Sequence, residues 1–288
     1  MLRSVFACLC VLSMSAAELK VDHVTVAGRT LSQLQAALTA VGIPSENGGP
    51  HSNHATEMAL VSFPDGSYLE LIALQPNADP NAVAEHTWHK FLNGNAGPCA
   101  WAVQVPDVSA EAGRLRQSGV QVSVPVKSGR TRPDGVRIDW ETASVGTTPN
   151  GTFFPFLIRD ITPRAIRAYP SGKPTTTKFQ GIAKVVIGVK NIDESIQRYR
   201  RAFNLPSPKH QRDAEFGSDL AWFEGTPVIL ATPLAADSWL AKRLAQFGDG
   251  PCAFVLKGPA AGKAASNWFG KPVFWFDAEK LGWRLGVE

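Results

Sequence analysis

Side chains able to move a proton or hold an ion crowd into one stretch. In GGPHSNHATEMALVSFPDGSYLELIAL, residues 48–74, His51 and His54 precede a strand-like run that carries Glu70 between leucines. Upstream, KVDHVTV places His23 in a second alternating run. Imidazole and carboxylate together can serve as general acid and base, ligate a divalent metal, or anchor a polar ligand. The sequence holds no GxSxG, HExxH or CxxC motif, and GPAAGKAAS, residues 258–266, has the wrong glycine spacing for a phosphate loop.

Strand alternation decides where these groups point. In KVDHVTV, Val24 and Val26 share one face, while Val21, His23 and Thr25 share the other; in SYLELIA, Leu69 and Leu71 oppose Tyr68 and Glu70. With the apolar sides against helices, His23 and Glu70 turn the other way, and sheets that curl together bring them into a common concavity. A carboxylate on an inward face needs a partner or a ligand. For Glu70 the choice is an ion pair with Arg130 or Arg132, or a bound molecule; for His23 it is a ligand or a hydrogen bond on a half-buried face. Arg130, in SGRTRPDG, can hold a ligand carboxylate in a two-pronged fork. Tyr68, Trp101 and Trp140 either line the apolar wall of the site or pack as core. His86 and His89, beside Trp88, are read as lying on a solvated face.

The elements that must position these groups repeat. AEHTWHKFLNGNAGPCAWAVQV at 84–105 is matched by AADSWLAKRLAQFGDGPCAFVL at 235–256, and the stretch from Val21 to Ser45 parallels that from Ile182 to Ser207. This predicts two homologous halves, 18–162 and 181–288, with the Pro- and Thr-rich 163–180 as a linker. Within the first half, strands are predicted at 20–27, 57–63 and 67–74 and helix at 30–42. A second round follows, with strands at 99–107, 120–126, 135–143 and 152–158.

DHVTVAG, GGPH, YLELIA, SGRTRPDGVRIDW and FFPFLI resemble the glyoxalase-like branch of the vicinal oxygen chelate superfamily. The resemblance implies an α+β fold of paired βαβββ modules whose curved mixed sheets form a cup. The second half is similar only through VVIGVKNIDESIQRYRRAFNLP and VFWFDAEKLGWRLGV, and reads as degenerate. In metal-dependent members the ligands come from the first and last strands of two modules, which implies His23 and Glu70 as metal ligands here. In the second module the match of CAWAVQV and TFFPFLI puts Trp101 and Pro155 where the other two would stand. His51 matches the histidine of the branch, and with Glu70 it is a candidate catalytic residue; a divalent Zn, Fe, Ni or Mn is the candidate cofactor. The implied reaction is a lyase, isomerase or dioxygenase step on an oxygen-bearing small molecule. The rival reading is a cup that sequesters a hydrophobic or anionic ligand without turnover, since fold does not select among these roles.

The 288 residues are 44% hydrophobic and 19% charged, with a net charge of +4 and RYRR at 198–201 as the one dense basic run, which gives no nucleic-acid footprint. MLRSVFACLCVLSMSAAELK has the layout of a secretory signal peptide over residues 1–17, with a run too short to span a bilayer, so a secreted or periplasmic protein is expected. The mature chain keeps Cys99 and Cys252, either as one disulfide or as two small buried thiols.

Overall fold

The structure, a computed structural model, describes residues 19–147, 149–260 and 264–288. The predicted signal peptide lies outside the described residues. In the first half, β1 (Val21–Ala27) leads to α1 (Leu31–Thr39), then β2 (Glu46–Pro50), β3 (Thr56–Ser62) and β4 (Tyr68–Leu74). Two short helices, α2 (Pro80–Glu85) and α3 (His89–Asn93), connect to the next round: β5 (Gly97–Gln104), α4 (Val108–Gln117), β6 (Val126–Thr131), β7 (Arg137–Ala143) and β8 (Phe156–Asp160). After α5 (Arg164–Ala168) the second half runs through β9 (Gly181–Gly188), α6 (Ile192–Phe203), β10 (Lys209–Asp213), β11 (Ser218–Trp222), β12 (Val228–Pro233) and α7 (Trp239–Phe247). It ends with β13 (Gly250–Lys257), β14 (Ala264–Trp268), β15 (Lys271–Trp275), α8 (Ala278–Leu281) and β16 (Arg284–Val287).

Each half forms one eight-stranded mixed sheet, ordered β2-β3-β4-β1-β5-β8-β7-β6 in the first and β10-β11-β12-β9-β13-β16-β15-β14 in the second. β1 pairs in parallel with β4 and antiparallel with β5, and β5 pairs in parallel with β8, so the two modules meet along β1 and β5. The first sheet curls until its two edges nearly meet: Ser52 Oγ and the Arg130 guanidinium donate across the gap to the carbonyls of Gly129 and Gly48. Helix starts repeat with the modules, because Thr30, Asp107 and Asn191 each accept the N–H three residues on with a side-chain oxygen.

The helix-covered faces share one core. Val24, Val26, Leu69 and Leu71 join Leu34 and Leu38 of α1, and the cluster continues through Trp101 and Val103 to Val185, Ile187 and Phe254. The halves are bound closely. Gly97 (φ +67°) lets the backbone turn where a Cβ would stand 2.6 Å from Trp283, and Arg243 of α7 donates to the carbonyls of Ala96, Pro98 and Pro251. The expected segment 163–180 holds α5 and packs on the first half: Tyr169 donates to the Phe63 carbonyl at 3.0 Å. The strand predicted at 120–126 is reduced to a bridge between Val122 and Val145, with pairing resuming at Val126. Cys99 and Cys252 are both buried and unpaired.

Candidate functional site

Register brings the chemistry together. Parallel pairing sets His23 beside Tyr68 and Thr25 beside Glu70 on the concave face. The His23 ring stacks on Tyr68 at 4.8 Å and 4°, and Thr25 Oγ1 donates to Glu70 Oε2 at 3.0 Å. His51 enters from the turn after β2, where Asn53 Oδ1 accepts the N–H groups of Ala55 and Thr56 and so fixes the loop. Its Nε2 lies 3.7 Å from Glu70 Oε1, and His23 Nε2 lies 3.9 Å from Oε2, so an imidazole stands on each side of the carboxylate. His54, in the left-handed region at φ 58°, is an exposed turn residue outside the cup.

A cavity of about 310 Å³ is lined by His23, His51, Tyr68, Glu70, Arg130 and Trp140, together with Phe156, Trp88 and Met58. Larger cavities lie outside the cup. One of about 800 Å³ beside α4 has its Arg114 already paired with Glu111 at 2.6 Å. Convergent unspent polar groups therefore single out the smaller one. Arg130 is 3% exposed, and among the described residues no carboxylate pairs with it. Burial lowers its pKa, partly offset by Tyr68 and Glu70. A guanidinium so placed has the geometry to hold an anion in addition to the Gly48 carbonyl.

Behind His23 lies a charge cluster absent from the sequence reading. Asp22 accepts from His23 Nδ1 at 2.6 Å and from Arg167 of α5 at 2.8 and 2.6 Å, and it also pairs with Arg164. Burial alone pushes the Asp22 carboxyl up, but Arg167, His23 and Arg164 outweigh it and hold the group well below the usual carboxylate range. Arg167 further donates to the Tyr68 hydroxyl at 2.8 Å and pairs with Asp160. An ionised Asp22 accepts a hydrogen bond from His23 Nδ1–H, so Nε2 is the ring nitrogen turned toward Glu70. His51 has the other tautomer: Met58 S, 3.1 Å from Nε2, is only an acceptor, so Nε2 carries the proton and Nδ1 accepts from Thr56 Oγ1 at 2.8 Å. Burial pulls the His51 pKa down, with Glu70 opposing and Arg130 assisting.

Several assignments require correction. Trp101 does not line the cup; it is fully buried in the helix-side core, paired in register with Val24. The cap alignment of Thr30 with Asp107 makes Ala100 the counterpart of His23, and pairing of Ala102 with Phe156 makes Phe156, not Pro155, that of Glu70. A one-residue slip exchanges the faces of a strand. His86, expected on a solvated face, lines the cup, and burial lowers its pKa, as does the nearby His51. Glu70 forms no ion pair with Arg130 or Arg132; Arg132 pairs with Asp134.

Among the described residues, the second half carries no such arrangement. Lys184 and Ile229 stand at the positions of His23 and Glu70, and the concavity is filled by Phe216, which stacks on Trp275 and meets Trp239 and Trp268 edge-on, each at 5.1 Å.

A tandem pair of βαβββ cups with an acid between two imidazoles in one of them defines a vicinal oxygen chelate architecture. The family model of the glyoxalase-like domain matches residues 21–203, and the chain belongs to that family. A crystal structure of a hypothetical protein from Staphylococcus aureus is similar over 93% of this chain and 98% of that one, at 14% identity and a TM-score of 0.65. A mutant of 4-hydroxymandelate synthase from Streptomyces coelicolor is similar over 85% of this chain and 71% of that one, at 13% identity and a TM-score of 0.52. At these identities the likeness concerns the fold. No curated protein sequence matches the chain.

Members of the superfamily often use divalent metals. Here the donor set does not fit a tight site. Ala100 and Phe156 occupy the second module's two positions, and among the described residues no group of three or more His, Cys, Asp or Glu side chains is gathered to hold an ion.

Proposed function

We propose that the first-half cup binds a small, oxygen-bearing anion and that Glu70 acts there as general base in a lyase or isomerase step. The observation that carries this is the placement of the Glu70 carboxylate between His23 Nε2 (3.9 Å) and His51 Nε2 (3.7 Å), in a cavity also lined by Arg130, which has no carboxylate partner among the described residues. Arg130 holds the ligand's anionic end. Glu70 Oε1 takes a proton from the carbon beside a carbonyl and gives it back to the isomerised product, and the Nε2–H of His51, exchanging its weak Met58 S acceptor for the ligand oxygen, steadies the developing negative charge. Tyr68 remains a neutral phenol, because burial raises its pKa, and its ring supports His23.

A Zn, Fe, Ni or Mn ion is not part of this proposal, since two of the strand positions are Ala100 and Phe156. Those apolar residues favour a second reading, a cup that sequesters its ligand without turnover. Deuterium exchange separates the two. A panel of 2-oxo and 2-hydroxy carboxylates in D₂O, followed by proton NMR, should include a member whose exchange is accelerated by the protein, and Glu70→Gln should lower that rate by about 10²–10⁴-fold. Binding without Glu70-dependent exchange supports sequestration. Export of the mature chain from about Glu18 completes the proposal and is supported by the signal-like first 17 residues.

A further inference from the structure

The second module gives the cup a wall of a different kind. Strand register gathers three apolar side chains there: Val126 of β6 pairs with Thr142 of β7, Thr142 pairs with Ile158 of β8, and Trp140 lies two residues along β7 from Thr142 on the same face. All four residues line the 310 Å³ cavity that holds His23, Glu70 and Arg130. Ile158 is buried in an apolar cluster with Phe156 and Trp88, and Trp140 packs against that cluster while only half-buried. Val126 is 56% exposed. The fold thus leaves an indole and a valine partly facing water beside a polar site. A ligand tail that covers them gains the free energy of removing that surface from water.

Arg130 decides which end of a ligand meets that surface. On β6 it stands two residues beyond Ser128, the direct partner of Trp140, so Arg130 and Trp140 are diagonal neighbours on adjacent strands, a separation that long side chains span. Glu70 and Tyr68 stand close enough on the other side to oppose the effect of burial on the guanidinium. Val126 and Ile158 offer no hydrogen bond, so a polar substituent set against them loses water without replacement. An indole receives a flat ring in offset or edge-on contact, which adds to the gain from buried area, whereas a straight alkyl chain has the area alone. We propose that Val126, Trp140 and Ile158 form a tail subsite, so that the ligand of this cup is a small carboxylic acid bearing an aromatic ring, its carboxylate on Arg130 and its ring against Trp140. The inference rests on the reading of Arg130 as the anion holder and adds the second point of recognition.

Matched acids test it by calorimetry on the mature full chain: 3-phenyllactate against lactate, and phenylacetate against acetate. The aryl acid of at least one pair should bind about tenfold or more tightly than its partner. Trp140→Ala should cut that ratio to below about threefold. Val126→Thr, which keeps the shape at an exposed position and so carries little folding risk, should lower it by about threefold. Arg130→Met should weaken both acids of the pair. Equal affinities within both pairs, with binding still dependent on Arg130, would overturn the tail subsite and leave the anion site standing. A preference for the aryl acid that survives both subsite variants would do the same. Binding indifferent to Arg130→Met, or no binding of any of the four acids, would overturn the underlying reading and the subsite with it.

Discussion

Replacing Arg167 with methionine removes the cation at the centre of the Asp22 cluster while keeping an unbranched chain. The wild-type guanidinium is 3% exposed, and it bonds both oxygens of the buried Asp22 carboxylate at 2.8 and 2.6 Å and the Tyr68 hydroxyl at 2.8 Å. Removing one member of a buried pair costs about 3–5 kcal/mol, because the remaining charge loses its counterion. Arg164 still pairs with Asp22, which places the expected loss near the lower end, roughly 3 kcal/mol. For a chain of this size that is a fall in Tm of about 6–12 °C. Urea unfolding of wild type, Arg167→Met, Asp22→Asn and the double variant gives the coupling, expected at about 2 kcal/mol. The pH dependence has a definite sign. Asp22 is held below its usual range when folded, so its contribution is present above about pH 4, the unfolded value, and disappears as pH falls through the lower folded value. The wild-type and variant stabilities should therefore converge below about pH 4. In parallel, the nitrogen NMR shifts of His23 should show the Nδ1–H tautomer in wild type and a mixture in Asp22→Asn. A stability loss under about 1 kcal/mol, or no coupling between positions 22 and 167, would refute the reasoning.

Burial lowers the pKa of His51 and of His86, so unfolding takes up protons at these two sites below about pH 6.5. Stability should fall as pH drops from 6.5 toward about 5, and His51→Gln with His86→Gln should flatten that slope; a wild-type curve that is level or rising over this window contradicts it. After equilibration with Zn, Ni or Mn and dialysis, the protein should retain well under one equivalent, whereas a full equivalent lost on Glu70→Gln would restore the metal reading. Intact mass of protein from a secreting host should show a mature start at or near Glu18, and a retained Met1 in a cytosolic product would contradict export.

The concave face was legible where alternation was clean. Val24, Val26, Leu69 and Leu71 announce one side of β1 and β4, and the register then places His23 and Glu70 on the other. The duplication likewise showed that the second half lacks the His23 and Glu70 pair, since Lys184 and Ile229 align with them through matching strand pairs. The second module misled because both faces of β5 are apolar. In CAWAVQV nothing marks the polar side, so Trp101 was set one residue out of phase, whereas DHVTVAG taken letter for letter, like the capping residues Thr30 and Asp107, puts Ala100 at the place of His23. Arg167 was invisible because its partner Asp22 lies 145 residues away, in a segment whose prolines and threonines read as a spacer. The spacing of Arg164 and Arg167, one helical turn apart, was the available signal. His86 was hidden by its place at a helix end, where the direction of a side chain depends on the cap rather than on periodicity.

The most direct test of the central claim is a crystal structure of the mature chain grown with 3-phenyllactate. The acid should lie in the cup of the first half, its carboxylate within hydrogen-bond distance of the Arg130 guanidinium and its substituted carbon within about 4 Å of Glu70. An acid seated instead in the second half or in the groove beside α4, or seated in the first cup with its carboxylate away from Arg130, would contradict the account.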